Sequence, residues 1–215
     1  MTPLPTHYFL GLDLGQRQDP AAITILQRAW EPGEEFNHVT WEHEPTLRFN
    51  LLHAERLKLG TAYVEIVARV CRLIASVAAR APATRRSTNI AEARTLTTLV
   101  VDASGVGRPV VELFSRSRKG FRLVPVTITS GREPHTDAAG EEFVPRRDLI
   151  TNLRILFEKG LLRIPARIHE HSALLNEFTH LRDRPSSHHD DLVMATALAC
   201  WTASRRLNLT RPSGR

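Results

Sequence analysis

Apolar and polar positions alternate tightly at the start of the chain, then shift to a longer rhythm. HYFLGLDL, residues 7–14, reads as a buried strand closed by Gly15, and the polar turn QRQDP leads into a second strand, AAITILQRA. After a break at EPGEEFNH comes an extended region, about 39–58, with a weak pattern. From Thr61 to Ala79 the spacing becomes helical, with Val64, Val67, Ala68, Cys71, Ile74 and Ala75 sharing a face. APATRRSTNIAEA has no apolar rhythm and reads as a linker or exposed crossing.

The second half alternates strand and helix. TLTTLVVDASGVGRPVVELF predicts a strand ending at Asp102, a turn of small residues, and a helix from Arg108 or Pro109. FRLVPVTIT predicts a strand, and SGREPHTDAAGEEF an exposed excursion with the makings of a hairpin. VPRRDLITNLRILFEKG is an amphipathic helix stopped by Gly160, LLRIP a short strand, and IHEHSALLNEFTHL another helix. In SSHHDDLVMATALACW, Leu192, Ala195, Leu198, Ala199 and Trp201 recur at helical steps, and the flanking positions are nearly as apolar, so this last helix should be mostly buried. Asp190 or Asp191 could cap it by accepting first-turn amide hydrogens.

Strands alternating with helices after residue 60 imply an α/β fold, and adjacent strands at the start make its central sheet mixed. With 215 residues, one domain over 1–206 and a basic tail at 207–215 is the expected division. Apolar content of 42% with 24% charge belongs to a globular chain and argues against disorder. No apolar run approaches the length of a membrane span, and MTPLPTHYFLGLDLG lacks a basic leader, so neither insertion nor secretion is expected. Cys71 and Cys200 lie on apolar helical positions with no zinc spacing, as reduced core cysteines would.

Charge changes the picture more. The net charge is +6, and the basic residues cluster: Arg80, Arg85 and Arg86; Arg116, Arg118 and Lys119; Arg146 and Arg147; Arg205, Arg206, Arg211 and Arg215. A solvated surface would explain any one cluster, but together they favour nucleic acid as partner. Arg116, Arg118, Lys119, Arg132, Arg146 and Arg147 are the candidate contacts.

Three acidic positions stand at ends of elements: Asp13 beside Gly15, Asp102 before a glycine-containing turn, and Asp190–Asp191 before the last helix. They span nearly the whole chain, as in a site assembled by the fold. Brought together they would repel, and hard divalent cations would remove that penalty. Each has a plainer role as a turn or cap residue. Asp19 reads first as turn chemistry before Pro20, with metal binding second. His188, three positions before Asp191, could bind metal, orient water or contact phosphate, while His189 reads as the bland member of the pair. GxGxxG, GxxxxGK[ST] and GxSxG motifs are all missing.

FLGLDLGQRQDPAAITIL, TLVVDASGVGRPVVELF, the VPVTITSG to LLRIP stretch and HHDDLVMATALA together resemble the nuclease domain of phage large terminase subunits, in the family's order. That family belongs to the ribonuclease H-like superfamily. The resemblance implies a ribonuclease H-like α/β fold, a mixed central β-sheet flanked by helices, and an acidic cluster binding two Mg2+ or Mn2+ ions. It implies hydrolysis of double-stranded DNA by in-line attack of water, during the cutting of concatemeric phage DNA in genome packaging. Asp13, Asp102 and Asp191 match its acidic positions, with Asp13 the expected bridge between ions; Asp190 is the alternative ligand to Asp191. Its DNA-contacting hairpin corresponds to about 129–144, and some relatives set a histidine where His188 stands. The implied setting is the cytoplasm of a bacterial host cell, with a separate packaging ATPase, a small terminase subunit or a portal protein as partners. The packaging ATPase's phosphate loop is missing, so an excised domain, a separately encoded nuclease or a prophage remnant is expected. Three rivals stay open: a Holliday-junction-resolvase-like nuclease, an actin-like ATPase or sugar kinase suggested by GLDLG, and a DNA-binding module without catalysis.

Overall fold

The computed structural model describes residues 6–15, 19–80, 97–105, 107–117, 120–182 and 189–205. Arg118, Lys119 and His188, the 81–96 crossing and the proposed 207–215 tail lie outside the described residues.

Among the described residues, one mixed sheet contains β1 (His7–Asp13), β2 (Ala22–Asn37), β3 (Glu42–Arg56), β4 (Thr97–Asp102), β5 (Arg122–Thr129), β6 (His135–Thr136), β7 (Glu142–Pro145) and β8 (Leu162–Arg163). Their order is β6-β7-β5-β4-β1-β2-β3-β8. β1, β2 and β3 form an antiparallel meander, while β4, β5 and β7 run parallel to β1. The expected α/β fold with a mixed sheet is present. The weak region after residue 39 is a full strand, β3, paired along the whole of a β2 that runs much further than AAITILQRA. The excursion at 130–143 does form a hairpin, β6–β7.

Helices cover both faces. α1 (Tyr63–Arg80) and α2 (Gly107–Arg116) pack on the side carrying Tyr8, Leu10, Leu12, Leu99 and Val101. α3 (Arg146–Glu158), α4 (His171–His180) and α5 (Asp191–Arg205) cover the side carrying Phe9, Leu26, Leu51, Val100 and Val126. The buried stripe of α1 is Ile66, Val67, Val70, Leu73, Ile74 and Val77. Val64, Ala68 and Ala75, expected on that face, are exposed, because this helix carries enough apolar residues for two overlapping stripes and sheet packing selects one. No helix among the described residues is long and apolar enough to cross a membrane.

α5 is buried from Asp191 to Ala203, as its composition requires. It lies unusually close to β1: a Cβ at Gly11 would sit 1.8 Å from the main-chain oxygen of Ala195. Only glycine allows a strand and a helix to touch backbone to backbone there. At the far end, Arg28 Nη1 donates to Ala203 O at 2.6 Å and ties α5 to β2. Cys200 is buried and Cys71 half-buried, both free, and burial pushes each thiol above its ordinary range.

Candidate metal centre

The strand register sets the first two acids side by side. β1 and β4 pair in parallel up to Leu12↔Val101, so Asp13 and Asp102 follow as neighbours at the carboxyl edge. The same level continues through Asp13↔Ala22 and Ala22↔Arg56, giving a row of acid, acid, alanine and arginine across four strands. Side chains alternate along a strand, so Asp13 shares the face of Phe9 and Gly11, beneath α5. Asp191 stands four residues before Ala195, one turn up the helix toward its N-terminus. The Gly11–Ala195 contact therefore carries Asp191 over Asp13. Their electrostatics agree: burial, then repulsion from Asp102, Asp191 and Asp190, pushes the Asp13 carboxyl well above the ordinary range, with Arg146 pulling the other way. Burial also raises Asp102, against hydrogen bonds from Ser104, whose amide donates to Asp102 Oδ1 at 2.8 Å.

The two neighbouring aspartates have different partners. Asp190 accepts the first α5 backbone bond, from Met194 N at 2.8 Å, and its side chain pairs with Arg146, the first residue of α3. Asp191 is buried, and its Oδ2 accepts no hydrogen bond from the described residues. Arg56 Nε lies 3.8 Å from that oxygen while another of its nitrogens pairs with Glu177. Glu177, from α4, accepts the first-turn amide of Val193 at 2.8 Å. The cap expected from Asp190 or Asp191 thus comes from a carboxylate of another helix, which leaves the aspartate pair for other work.

A third group closes the edge. His189 Nδ1 lies 3.1 Å from Asp19 Oδ1 and 3.9 Å from Asp191 Oδ2. Asp19, His189 and Asp191 offer ligand atoms all within 4.8 Å of one another, with Asp191 buried and the other two exposed. The donor set fits a divalent cation: two carboxylates and an imidazole, with a buried carboxylate oxygen that has no hydrogen-bond donor among the described residues. Burial, then Asp19, pushes Asp191 up to about 6, against His189 and Arg56. Burial pushes Glu177 up to about 7.

Those raised values have a consequence for the metal-free protein. Asp191 and Glu177 hold protons more tightly folded than their ordinary values of 3.8 and 4.5 allow in the unfolded chain. Their contribution to stability is complete below about pH 4 and is lost as pH rises through about 6 to 7. Glu55, lowered to about 2 by Arg69 and His53 against its own burial, loses its contribution only below its ordinary 4.5. In EDTA, the protein should therefore be more stable near pH 5.5 than near pH 8, by up to about 1.4 kcal/mol per pH unit for each group, and its melting temperature correspondingly higher. A melting temperature that rises from about pH 5.5 to about pH 8 would contradict the buried, charge-crowded edge.

Two readings of the sequence change, and the structure places two of the basic candidates. His189, not the bland member, is the histidine beside Asp19 and Asp191, because the entry to α5 turns it toward the β1–β2 loop. Asp19 belongs to this group, since its main-chain oxygen would sit 1.9 Å from a Cβ at Gly15 and the loop returns against the strand end. Arg146 pairs with Asp190 and is mostly buried. Arg116 is exposed at the C-terminal end of α2, whose first turn abuts Asp102, and so stands about 14 Å of helix from the acidic edge. Arg132 and Arg147 remain at that edge, Arg147 donating to the Arg132 carbonyl. Arg56 and Glu177 were not anticipated. Their only sequence signals are a charged residue closing a strand and an acid in an apolar helix. Comparison with family models, with curated proteins and with solved structures gave no match, so the chemistry of this edge is read from its own residues.

Proposed function

We propose that this chain is a metal-dependent endodeoxyribonuclease with a ribonuclease H-like fold, akin to the nuclease domain of phage large terminase subunits. The observation that carries the reading is the buried Asp191 oxygen, without a hydrogen bond among the described residues, set among Asp13, Asp19, His189 and Asp190. Like charges held this closely under a helix are costly unless a cation sits between them.

Asp13, Asp102 and Asp191 hold the catalytic cations in this reading, two Mg2+ or Mn2+ ions, with Asp19 and His189 completing the outer side. A divalent cation bound there supplies a lowered pKa for water and neutralises charge on a phosphodiester. The protein's own groups position these ligands. Arg146 draws Asp190 aside, Glu177 fixes the first turn of α5, and Arg56 steadies Asp191 from below. Arg132 and Arg147 grip backbone phosphates at the same edge, which gives affinity with little sequence preference. Double-stranded DNA is the substrate in this reading. Genome packaging, with a packaging ATPase, small terminase subunit or portal protein as partners, is its setting.

Supercoiled plasmid incubated with the protein should be nicked in Mn2+ or Mg2+, remain intact in EDTA, and be cut less as salt rises. Intact plasmid in both metals would overturn the proposal. A preference for four-way junctions over linear duplex would move it to the resolvase branch.

A further inference from the structure

A cleft of about 540 Å3 opens beside the metal centre, where the β1–β2 turn faces the start of α1. Asp19 belongs to both: it lines the cleft and offers a ligand atom to the cation group. Among the described residues, the other charged side chain lining it is Lys58. Two large apolar side chains, Leu59 at 56% exposure and Tyr63 at 37%, stand open to solvent on the same wall. A buried core does not need them there.

We propose that this cleft seats the nucleotide flanking the scissile phosphate, with its phosphate at Lys58 and its base against Tyr63 and Leu59. The proposal rests on the nuclease reading and names a subsite of the same centre. Three features select this ligand. The volume falls within the roughly 300–1,000 Å3 of small-ligand sites and is ample for one nucleotide. Asp19 faces His189 and the cation group, so the remaining charge among the described lining residues is the Lys58 ammonium, joined by the positive end of α1. An exposed aromatic beside a cation is the arrangement that stacks a base and grips its phosphate without reading sequence. The rim is held in place, because Lys58 O accepts hydrogen bonds from both the amide and the hydroxyl of Thr61, with Gly60 at φ +81° in the turn between them.

The test compares wild type with Lys58→Glu, Tyr63→Ala and, as a control, Lys159→Glu. Lys159 is exposed at the end of α3 remote from Arg146. Binding is read by the anisotropy of a short fluorescein-labelled duplex in Ca2+, and turnover by nicking in Mn2+. Lys58→Glu should weaken binding and raise KM about tenfold, leave kcat within about twofold, and reduce the slope of log affinity against log salt by about one. Tyr63→Ala should raise KM about five- to tenfold with the salt slope unchanged. Lys159→Glu should match wild type. A Lys58→Glu protein indistinguishable from the Lys159→Glu control in KM and salt slope overturns the subsite while leaving the nuclease reading intact. A wild-type protein that binds the duplex but never nicks it brings down that reading, and the subsite with it.

Discussion

Asp191→Asn should abolish metal-dependent nicking, by a factor on the order of a thousand or more, equivalent to about 4 kcal/mol of transition-state stabilisation. The same substitution should raise the melting temperature of the metal-free protein. Asp191 is buried, its Oδ2 has no hydrogen-bond donor among the described residues, and its carboxyl is pushed up to about 6 by burial and by Asp19. An amide of the same shape removes the buried charge without opening a cavity, and relieving about 1 kcal/mol corresponds to roughly 2–4 °C in a chain of this size. Opposite signs for activity and stability are what separate a ligand from a structural residue. Asp13→Asn should behave alike, since its carboxyl is raised by burial and by three neighbouring acids. Asp190→Asn should cost less activity, about 10–100-fold, because its side chain serves Arg146 and acts on the centre indirectly. Asp191→Asn protein that nicks DNA at the wild-type rate would end the assignment, and equal losses at 190 and 191 would mean that the pair shares the ligand role.

The places of Asp13, Asp102 and Asp191 at element ends were legible in the sequence because each closes or opens an element whose apolar pattern is strong. TLVVD and the alanine-rich last helix admit one arrangement each, so their polar ends stand out. β3 was nearly illegible for a physical reason. Its register shifts against β2 between Ile25 and Leu26, leaving Leu52 unpaired and reversing the alternation partway along. Leu51 and Ala54 are consequently both buried, a spacing that no period-two template predicts. Arg56 inherits that shift and arrives on the α5 face by way of it. Glu177 was hidden because an acid in an amphipathic helix is ordinarily solvated, and only the packing of α4 against α5 brings it to the Val193 amide. The choice between His188 and His189 could not be made from helical spacing, since His189 precedes the first helical residue and is oriented by the loop.

Gly11→Ala should damage stability and cleavage together. The added Cβ would lie 1.8 Å from Ala195 O, 2.8 Å from Ala195 C and 3.1 Å from Thr24 Oγ1. Two of those atoms are main chain in the middle of a buried helix and cannot rotate away. α5 must lift from β1, and its far end is held by Arg28 at Ala203, so the movement falls on the end carrying Asp190 and Asp191. Overpacking of this kind costs about 1–3 kcal/mol or more, only partly offset by the roughly 0.4–1 kcal/mol that alanine removes from the freedom of the unfolded chain. The melting temperature should fall by several degrees, read by thermal unfolding in EDTA and again in Mn2+. A displacement of about 1 Å between Asp13 and Asp191 should cost about a hundredfold in nicking. Ala195→Gly should not rescue the variant, since the clash is with a carbonyl that glycine retains. Gly131→Ala, where the new Cβ would meet only the Thr129 hydroxyl at 3.3 Å, should leave the melting temperature unchanged. If Gly11→Ala instead melts with wild type, β1 and α5 are not in backbone contact, and the route by which Asp191 reaches Asp13 must be another.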